Sequence, residues 1–253
     1  MVTPKSDPPA GFASLGLADS LVQAVAALGY EEPTPIQREA IPVLCTGRDL
    51  IGQAGTGTGK TAAFALPLIH RLETKRAEPA REEHRKPGAP RLVPHAPAPA
   101  TGGVRGLILV PTRELAMQVA EAVHKYAKRT TLTVVPVFGG APMDQQIRSL
   151  RRGADIVVAT PGRALDHLRR KTLTLDALQV LVLDEADEML DMGFAEDLET
   201  ILNATPDTRQ TALFAATMAP RIAAIAERHL KSPARIVIKT EKRAPGNLPQ
   251  VRQ

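Results

Sequence analysis

From Arg48 onward the sequence repeats one unit: a short β-branched or leucine-rich run, a turn residue, then a helical stretch with apolar positions three and four apart. The runs are Asp49 to Gly52, Leu107 to Val110, Val134 to Val137, Ile156 to Ala159, Val180 to Leu183, Thr211 to Phe214 and Arg235 to Ile238. They are apolar throughout rather than alternating, as expected of strands buried on both faces. The pattern predicts an α/β fold, a mostly parallel sheet covered by helices on both faces. Such sheets bind ligands outside the carboxyl ends of their strands, so the strand-to-helix junctions are where chemistry is expected.

Two amphipathic helices, Ala18 to Leu28 and Pro35 to Leu44, are predicted before the first strand, separated by the turn-rich Gly29 to Thr34. We read residues 1–47 as a helical extension of the same domain, residues 48–240 as the α/β body, and residues 241–253 as the start of a linker. Within the body, Glu73 to Gly103 carries six prolines among charged and small residues without periodicity. It is expected to be a flexible, exposed insert between a helix and the next strand.

A chain of 253 residues with 43% hydrophobic content can bury its own core. Its apolar runs fall far short of the ~20 residues of a membrane span, and no apolar signal-peptide stretch opens it, so a soluble cytoplasmic protein is expected. Cys45 is the single cysteine, which excludes an intramolecular disulfide and reads as a core thiol. The six histidines have no ligand spacing, and no structural metal site is expected. The net charge of +5 suggests nucleic acid, but residues 73–105 contribute +3 and residues 231–253 contribute +5, leaving about −3 for the rest. Nucleic-acid recognition therefore has to be argued from sites.

The first site follows the run Asp49 to Gly52: Ala54-Gly55-Thr56-Gly57-Thr58-Gly59-Lys60-Thr61, then a helical stretch. Glycines let backbone N–H groups turn toward phosphates, and a helix N-terminus adds positive potential. Lys60 can reach the β- and γ-phosphates, and Thr61 can ligate Mg²⁺. This is a P-loop with alanine at its first glycine position. The second site follows Val180 to Leu183 and reads Asp184-Glu185-Ala186-Asp187. An aspartate at the end of a buried strand can hold Mg²⁺ through water, and the adjacent glutamate can orient or deprotonate an attacking water.

Asp-Glu-Ala-Asp resembles the signature of the DEAD-box family of ATP-dependent RNA helicases, and further family motifs occur in order. Phe12 lies upstream of Gly29-Tyr30-Glu31-Glu32-Pro33-Thr34-Pro35-Ile36-Gln37, which is similar to the family's Q motif. Pro111-Thr112-Arg113-Glu114-Leu115-Ala116, Gly139-Gly140 and Thr160-Pro161-Gly162-Arg163 are similar to its RNA-binding motifs. Ala215-Ala216-Thr217 resembles its Ser-Ala-Thr motif. The resemblance implies an N-terminal RecA-like domain that binds ATP, Mg²⁺ and RNA, with contacts to RNA phosphate and sugar. Thr112, Arg113, Gly139, Gly140, Thr160, Gly162 and Arg163 are the RNA candidates, and Asp187, Ala215 and Thr217 are the candidates for coupling the two ligands.

The residues themselves leave some of these roles open. Gln37 can donate to N7 of adenine and accept from its N6 amino group, with Phe12 or Tyr30 packing on the base. Thr34 and Gln37 also fit a capping box. Thr160-Pro161 fits an N-cap and N1 pair as well as a phosphate site, and Thr112 with Arg113 opens a helix in the same way. Arg151-Arg152 and Arg169-Arg170-Lys171 read as cations at helix ends, and Met192 and Phe194 as packing residues. Nothing in the chain itself reads a 2′-hydroxyl, so RNA rather than DNA rests on the resemblance.

Two departures from the family pattern matter. The chain stops in what resembles the linker, so the second RecA-like domain and its arginines are expected to be absent. This fragment should then bind nucleotide but hydrolyse it poorly, either as part of a helicase or as an RNA clamp that uses ATP as a structural ligand. Ala215 stands where the family has serine, and the missing hydroxyl is expected to weaken a hydrogen bond toward Asp187 by about 0.5–1.5 kcal/mol. The Q-motif reading carries its own test. ADP should bind more tightly than GDP in calorimetric titration, and Gln37→Ala should narrow the gap; equal affinities in the unsubstituted chain would rule the assignment out.

Overall fold

The computed structural model describes residues 11–77 and 103–238. Seven strands form one parallel sheet in the order β3-β4-β2-β5-β6-β1-β7. They are β1 (Leu50–Gln53), β2 (Gly106–Leu109), β3 (Val134–Val137), β4 (Ile156–Ala159), β5 (Val180–Leu183), β6 (Gln210–Ala215) and β7 (Ala234–Val237). Each of the predicted runs is a strand. Three keep their predicted bounds, and the other four differ by one residue at each end.

Residue alternation assigns the side chains to two cores. Ile108, Val158, Val182 and Phe214 face a core shared with α1 (Asp19–Ala27), α2 (Pro35–Cys45), α3 (Lys60–Ala77) and α4 (Arg113–Tyr126). Leu109, Ala159, Leu183 and Ala215 face a second core under α6 (Pro161–Arg169), α7 (Ala186–Asp191), α8 (Ala195–Asn203) and α9 (Pro220–His229). Because both faces are covered, the strands need apolar residues at every position, which is the pattern seen in the sequence. The remaining helix, α5 (Met143–Arg151), leads from β3 toward β4. β3 is an edge strand, which is why it tolerates Pro136: no neighbour needs the missing N–H.

Two expectations are corrected. The insert does not begin at Glu73, because α3 continues to Ala77. Glu73, Lys75, Arg76 and Ala77 are good helix formers, and the first helix breaker is Pro79. The rest of the expected insert, 78–102, lies outside the described residues, as does the expected linker at 241–253. Asp49 lies before β1 rather than in it. Its Oδ1 accepts from the Thr211 N–H at 2.7 Å and its Oδ2 from the Lys231 N–H at 2.6 Å, so it joins the starts of β6 and the β7 segment. Cys45 ends α2 half-buried against the first core, and burial pushes its thiol up to about 11. Among the described residues, no helix is long and apolar enough to cross a membrane.

Asp49 is 5% exposed, so its loss strands two backbone donors away from water. Asp49→Ala should lower unfolding free energy by about 3 kcal/mol, the sum of two unmet buried hydrogen bonds. Urea denaturation measures this, and a loss below about 1 kcal/mol would mean that solvent reaches both amides.

Candidate nucleotide and RNA sites

The parallel sheet puts every strand's carboxyl end on one edge, and the strand order divides that edge in two. The junctions after β5, β6 and β1 are neighbours and carry the acidic box, Ala215-Ala216-Thr217 and the P-loop. Those after β3, β4 and β2 are also neighbours and carry Gly139-Gly140, Thr160 to Arg163, and Thr112-Arg113.

On the first half, a cleft of about 460 Å³ is lined by P-loop residues Thr56, Gly57, Gly59, Lys60 and Thr61, by Asp184 and Glu185, and by Gln37 and Tyr30. That volume suits a nucleotide-sized ligand. The loop bends through left-handed glycines, Gly57 at φ 74° and Gly59 at φ 94°. Gly59 is needed twice over, because a Cβ there would meet Gln37 Nε2 at 2.5 Å and Thr34 Oγ1 at 2.9 Å. Within the turn, the Thr58 hydroxyl donates to Gly55 O at 2.8 Å. The buried Lys60 donates to Ala54 O at 3.3 Å, and its Nζ stands 3.9 Å from both Asp184 Oδ1 and Glu185 Oε1.

Two carboxylates and one ammonium share this buried space, so the acids bear the cost of desolvation. Burial pushes Asp184 up to about 6, opposed by Lys60. Burial, a hydrogen bond with Glu188 and the charge of Asp184 push Glu185 up to about 7. Glu185 is also held at φ 53° and ψ 48°, a left-handed conformation costing a side-chain-bearing residue about 1–2 kcal/mol. Strain of this kind persists where surrounding structure enforces it, typically at functional sites. An excess of acid beside a threonine hydroxyl and a single lysine is a donor set that fits a divalent cation with oxygen ligands, here Thr61 and Asp184.

Gln37 makes the backbone half of the capping contact and also braces the P-loop. Its Oε1 accepts from the Thr34 N–H at 2.9 Å, as in a capping box, and its Nε2 donates to Gly59 O at 3.0 Å. One amide hydrogen and one oxygen lone pair remain, the pair a bidentate contact with adenine requires. Tyr30 lines the cleft, whereas Phe12 is buried in the first core, its ring edge-on to Tyr30 at 6.1 Å. A feature the sequence did not single out is Tyr126, at the end of α4. Its hydroxyl pairs with that of Tyr30 at 2.8 Å, and it too lines the cleft. A lone tyrosine on an apolar helical face carries no signal of that role.

Asp187 reaches across to the β6 junction. Its Oδ2 accepts from the Ala216 N–H at 3.0 Å, the Thr217 N–H at 2.8 Å and the Thr217 hydroxyl at 3.1 Å. The bond expected to be lost with Ala215 is thus made by Thr217, while the Ala215 Cβ is buried in the second core.

On the other half, Thr112 caps α4 as expected, its hydroxyl accepting from the Leu115 N–H at 3.2 Å. Thr160 occupies the N-cap position of α6 with Pro161 next, but its side chain makes no capping bond, which corrects that expectation. Gly140 is left-handed at φ 77°, and a Cβ there would press to 3.3 Å from Arg113 Nη1. Gly139 faces open space. Gly162 backs onto α8, 3.5 Å from Asp197 Oδ2 to its would-be Cβ. Arg163 donates to Ala141 O at 2.9 Å, and the Arg113 guanidinium lies 5.4 Å from the Phe138 ring centre. Arg151-Arg152 and Arg169-Arg170 stand at the ends of α5 and α6 as predicted. Met192 departs from its expected packing role, with 49% of its surface exposed, because Gly193 at φ 89° turns only Phe194 inward.

The raised carboxyls predict a stability profile for the ligand-free chain. Groups whose folded values lie above their unfolded ones stabilise at low pH, and that contribution is lost as pH rises through the folded values, here from about 4 to about 7. Asp184→Asn stays neutral and keeps the oxygen that accepts from the Glu185 N–H at 3.0 Å. It should raise the melting midpoint more at about pH 8 than at about pH 5, in chelator, by differential scanning fluorimetry. An equal shift at both would show that Asp184 is not held up by burial.

Over 239 residues the chain is 45% identical to the DEAD-box ATP-dependent RNA helicase CshA of Bacillus cereus, covering 94% of this chain and 41% of that protein. It is 46% identical to the RNA helicase CrhR of Synechocystis, covering 94% of this chain and 43% of that one. The chain thus spans less than half the length of these relatives. The crystal structure of a DEAD box protein from the hyperthermophile Methanococcus jannaschii superposes with a TM-score of 0.76 at 37% identity, covering 90% of this chain and 56% of that one. The fold is therefore the RecA-like P-loop domain of that structure. The DEAD/DEAH box helicase family model matches residues 34–225, most of the chain and both halves of the functional edge, and the chain belongs to that family.

Proposed function

We propose that this chain is the N-terminal ATP- and RNA-binding half of an ATP-dependent RNA helicase. ATP binds with Mg²⁺ at the β5, β6 and β1 junctions, and RNA backbone binds at the β3, β4 and β2 junctions. The observation that carries this reading is the convergence of Lys60, Asp184 and Glu185 within 3.9 Å in a cleft that Gln37 also lines. A lysine at a P-loop and two acids at a neighbouring strand end are the parts phosphoryl transfer needs.

The division of labour follows from position. Backbone N–H groups of the P-loop and the start of α3 receive the phosphates, and Lys60 turns from Ala54 O to the β- and γ-oxygens. Thr61 and Asp184 would hold Mg²⁺, which neutralises phosphate charge when bound. Glu185, beside Asp184 and 3.9 Å from Lys60 Nζ, is placed to orient the attacking water and take its proton. The spare amide hydrogen and lone pair of Gln37 match adenine N7 and N6, and guanine offers an acceptor where N6 would be. Asp187, bonded to Ala216 and Thr217, links the acidic box to the turn after β6. The reading assigns the catalytic arginines to a second RecA-like domain, with the two together separating RNA duplexes locally. An arginine finger is worth about 10³–10⁵ in rate, so the chain alone should turn over ATP very slowly. The cytoplasm is the compartment proposed, in keeping with RNA as substrate.

Lys60→Ala should weaken ADP binding by about tenfold or more, since it removes charge-assisted hydrogen bonds worth about 1.5–3 kcal/mol. Glu185→Gln should leave ADP affinity within about twofold and cut RNA-stimulated phosphate release in the two-domain protein by about 10² or more. Calorimetry and a phosphate-release assay separate the two roles. If Glu185→Gln abolished nucleotide binding while Lys60→Ala spared it, the phosphate and water roles would be reversed.

A further inference from the structure

Beneath the Gly139-Gly140 turn lies a buried polar relay that the nucleotide cleft does not use. His167 on α6 is fully buried, with Nδ1 2.8 Å from Thr172 Oγ1 and Nε2 3.3 Å from Gln146 Oε1. Gln146, on α5 and 6% exposed, in turn donates from Nε2 to Phe138 O at 2.9 Å. The direction of the relay follows from its end. With Nε2 of Gln146 donating to a carbonyl, Oε1 faces His167 and can only accept, so His167 carries its proton on Nε2. Nδ1 then accepts from the Thr172 hydroxyl, whose single proton also faces His167 O at 3.2 Å. Burial, followed by the nearby charge of Arg163, holds the imidazole below its ordinary value, consistent with one neutral tautomer.

The relay ends on the carbonyl of the residue just before Gly139. The other face of that residue is engaged too, its ring lying under the Arg113 guanidinium at 5.4 Å. One residue beyond the glycines, Ala141 O accepts from Arg163 at 2.9 Å. The turn after β3 is therefore held from the β4 junction, through α6 and α5, and from the β2 junction, through Arg113. A buried histidine–glutamine pair costs desolvation that an apolar pair of similar volume would avoid, so packing alone does not account for it. What the polar pair supplies is direction: a donor aimed at one backbone carbonyl.

We propose that Gln146, backed by His167, is a positioning residue for RNA binding. Through Phe138 it locks the β2, β3 and β4 junctions into one phosphate-binding surface. This rests on the RNA-binding role assigned above to Thr112, Arg113, Gly139, Gly140, Thr160, Gly162 and Arg163.

The test uses this chain, a fluorescein-labelled oligouridylate for RNA affinity, ADP calorimetry for the other half of the edge, and the amide resonances of Gly139 and Gly140. Gln146→Glu still accepts from His167 but has no donor for Phe138 O, whereas Gln146→Met removes both bonds at similar volume. Both should weaken oligouridylate binding by roughly fivefold, the equivalent of one hydrogen bond, leave ADP affinity within about twofold and displace the two glycine resonances. Phe138→Leu keeps the carbonyl bond and removes the ring under Arg113, so it should weaken oligouridylate binding while ADP binding holds. Unchanged oligouridylate affinity and unmoved resonances in both Gln146 variants would overturn the proposal. So would a parallel loss of ADP and oligouridylate binding, which would make the relay a general support of the fold. A wild-type chain that binds ADP but no oligouridylate would instead remove the RNA reading on which the proposal stands, and the glycine resonances distinguish that failure because they are read without RNA.

Discussion

Every strand in this sheet is parallel to its neighbours, and parallel strands cannot be joined by a tight turn, so each connection must cross a face of the sheet and return. Covered faces, continuous apolar strands and a single edge bearing all seven carboxyl ends follow from that constraint. Because β5, β6 and β1 are neighbours in space though far apart in sequence, the acidic box meets the P-loop. Because β3, β4 and β2 are neighbours, the three junctions that follow them lie side by side.

The nucleotide cleft stores unfavourable electrostatics in the ligand-free chain. Buried Asp184 and half-buried Glu185 share one lysine, and both carboxyls are pushed toward their neutral forms. The left-handed backbone at Glu185 adds strain on the same short segment. Desolvated acids beside one lysine and a strained backbone on the same segment are typical of functional sites.

Local and tertiary roles are superposed at single residues. Gln37 completes a helix start and at the same time braces the P-loop through Gly59 O, so one side chain joins α2 to the loop. Asp187 belongs to the acidic box by sequence but bonds to Ala216 and Thr217 after β6. Phe138 carries no charge and no motif, yet its ring and its carbonyl are gripped from opposite sides.

The sequence by itself determined the elements and the chemistry. Apolar runs of four residues alternating with turns and helical stretches read as strands covered on both sides, and three glycines ending in Lys60-Thr61 can serve few purposes other than a phosphate loop. Its errors were local. Helix propensity carried α3 past Glu73, Met192 faced solvent, and Thr160 did not cap, because each outcome turned on a neighbour or backbone angle that periodicity does not encode. Strand order, which no local pattern records, decided that Lys60 stands midway between Asp184 and Glu185, that Thr217 makes the bond missing at Ala215, and that Tyr126 closes against Tyr30 across 96 residues of sequence. The same holds for His167, one of six scattered histidines in the sequence and a fully buried, directional link in the fold. Periodicity reports which side of an element is buried, but the partner that a buried polar group finds there is set by how the crossovers stack the sheet.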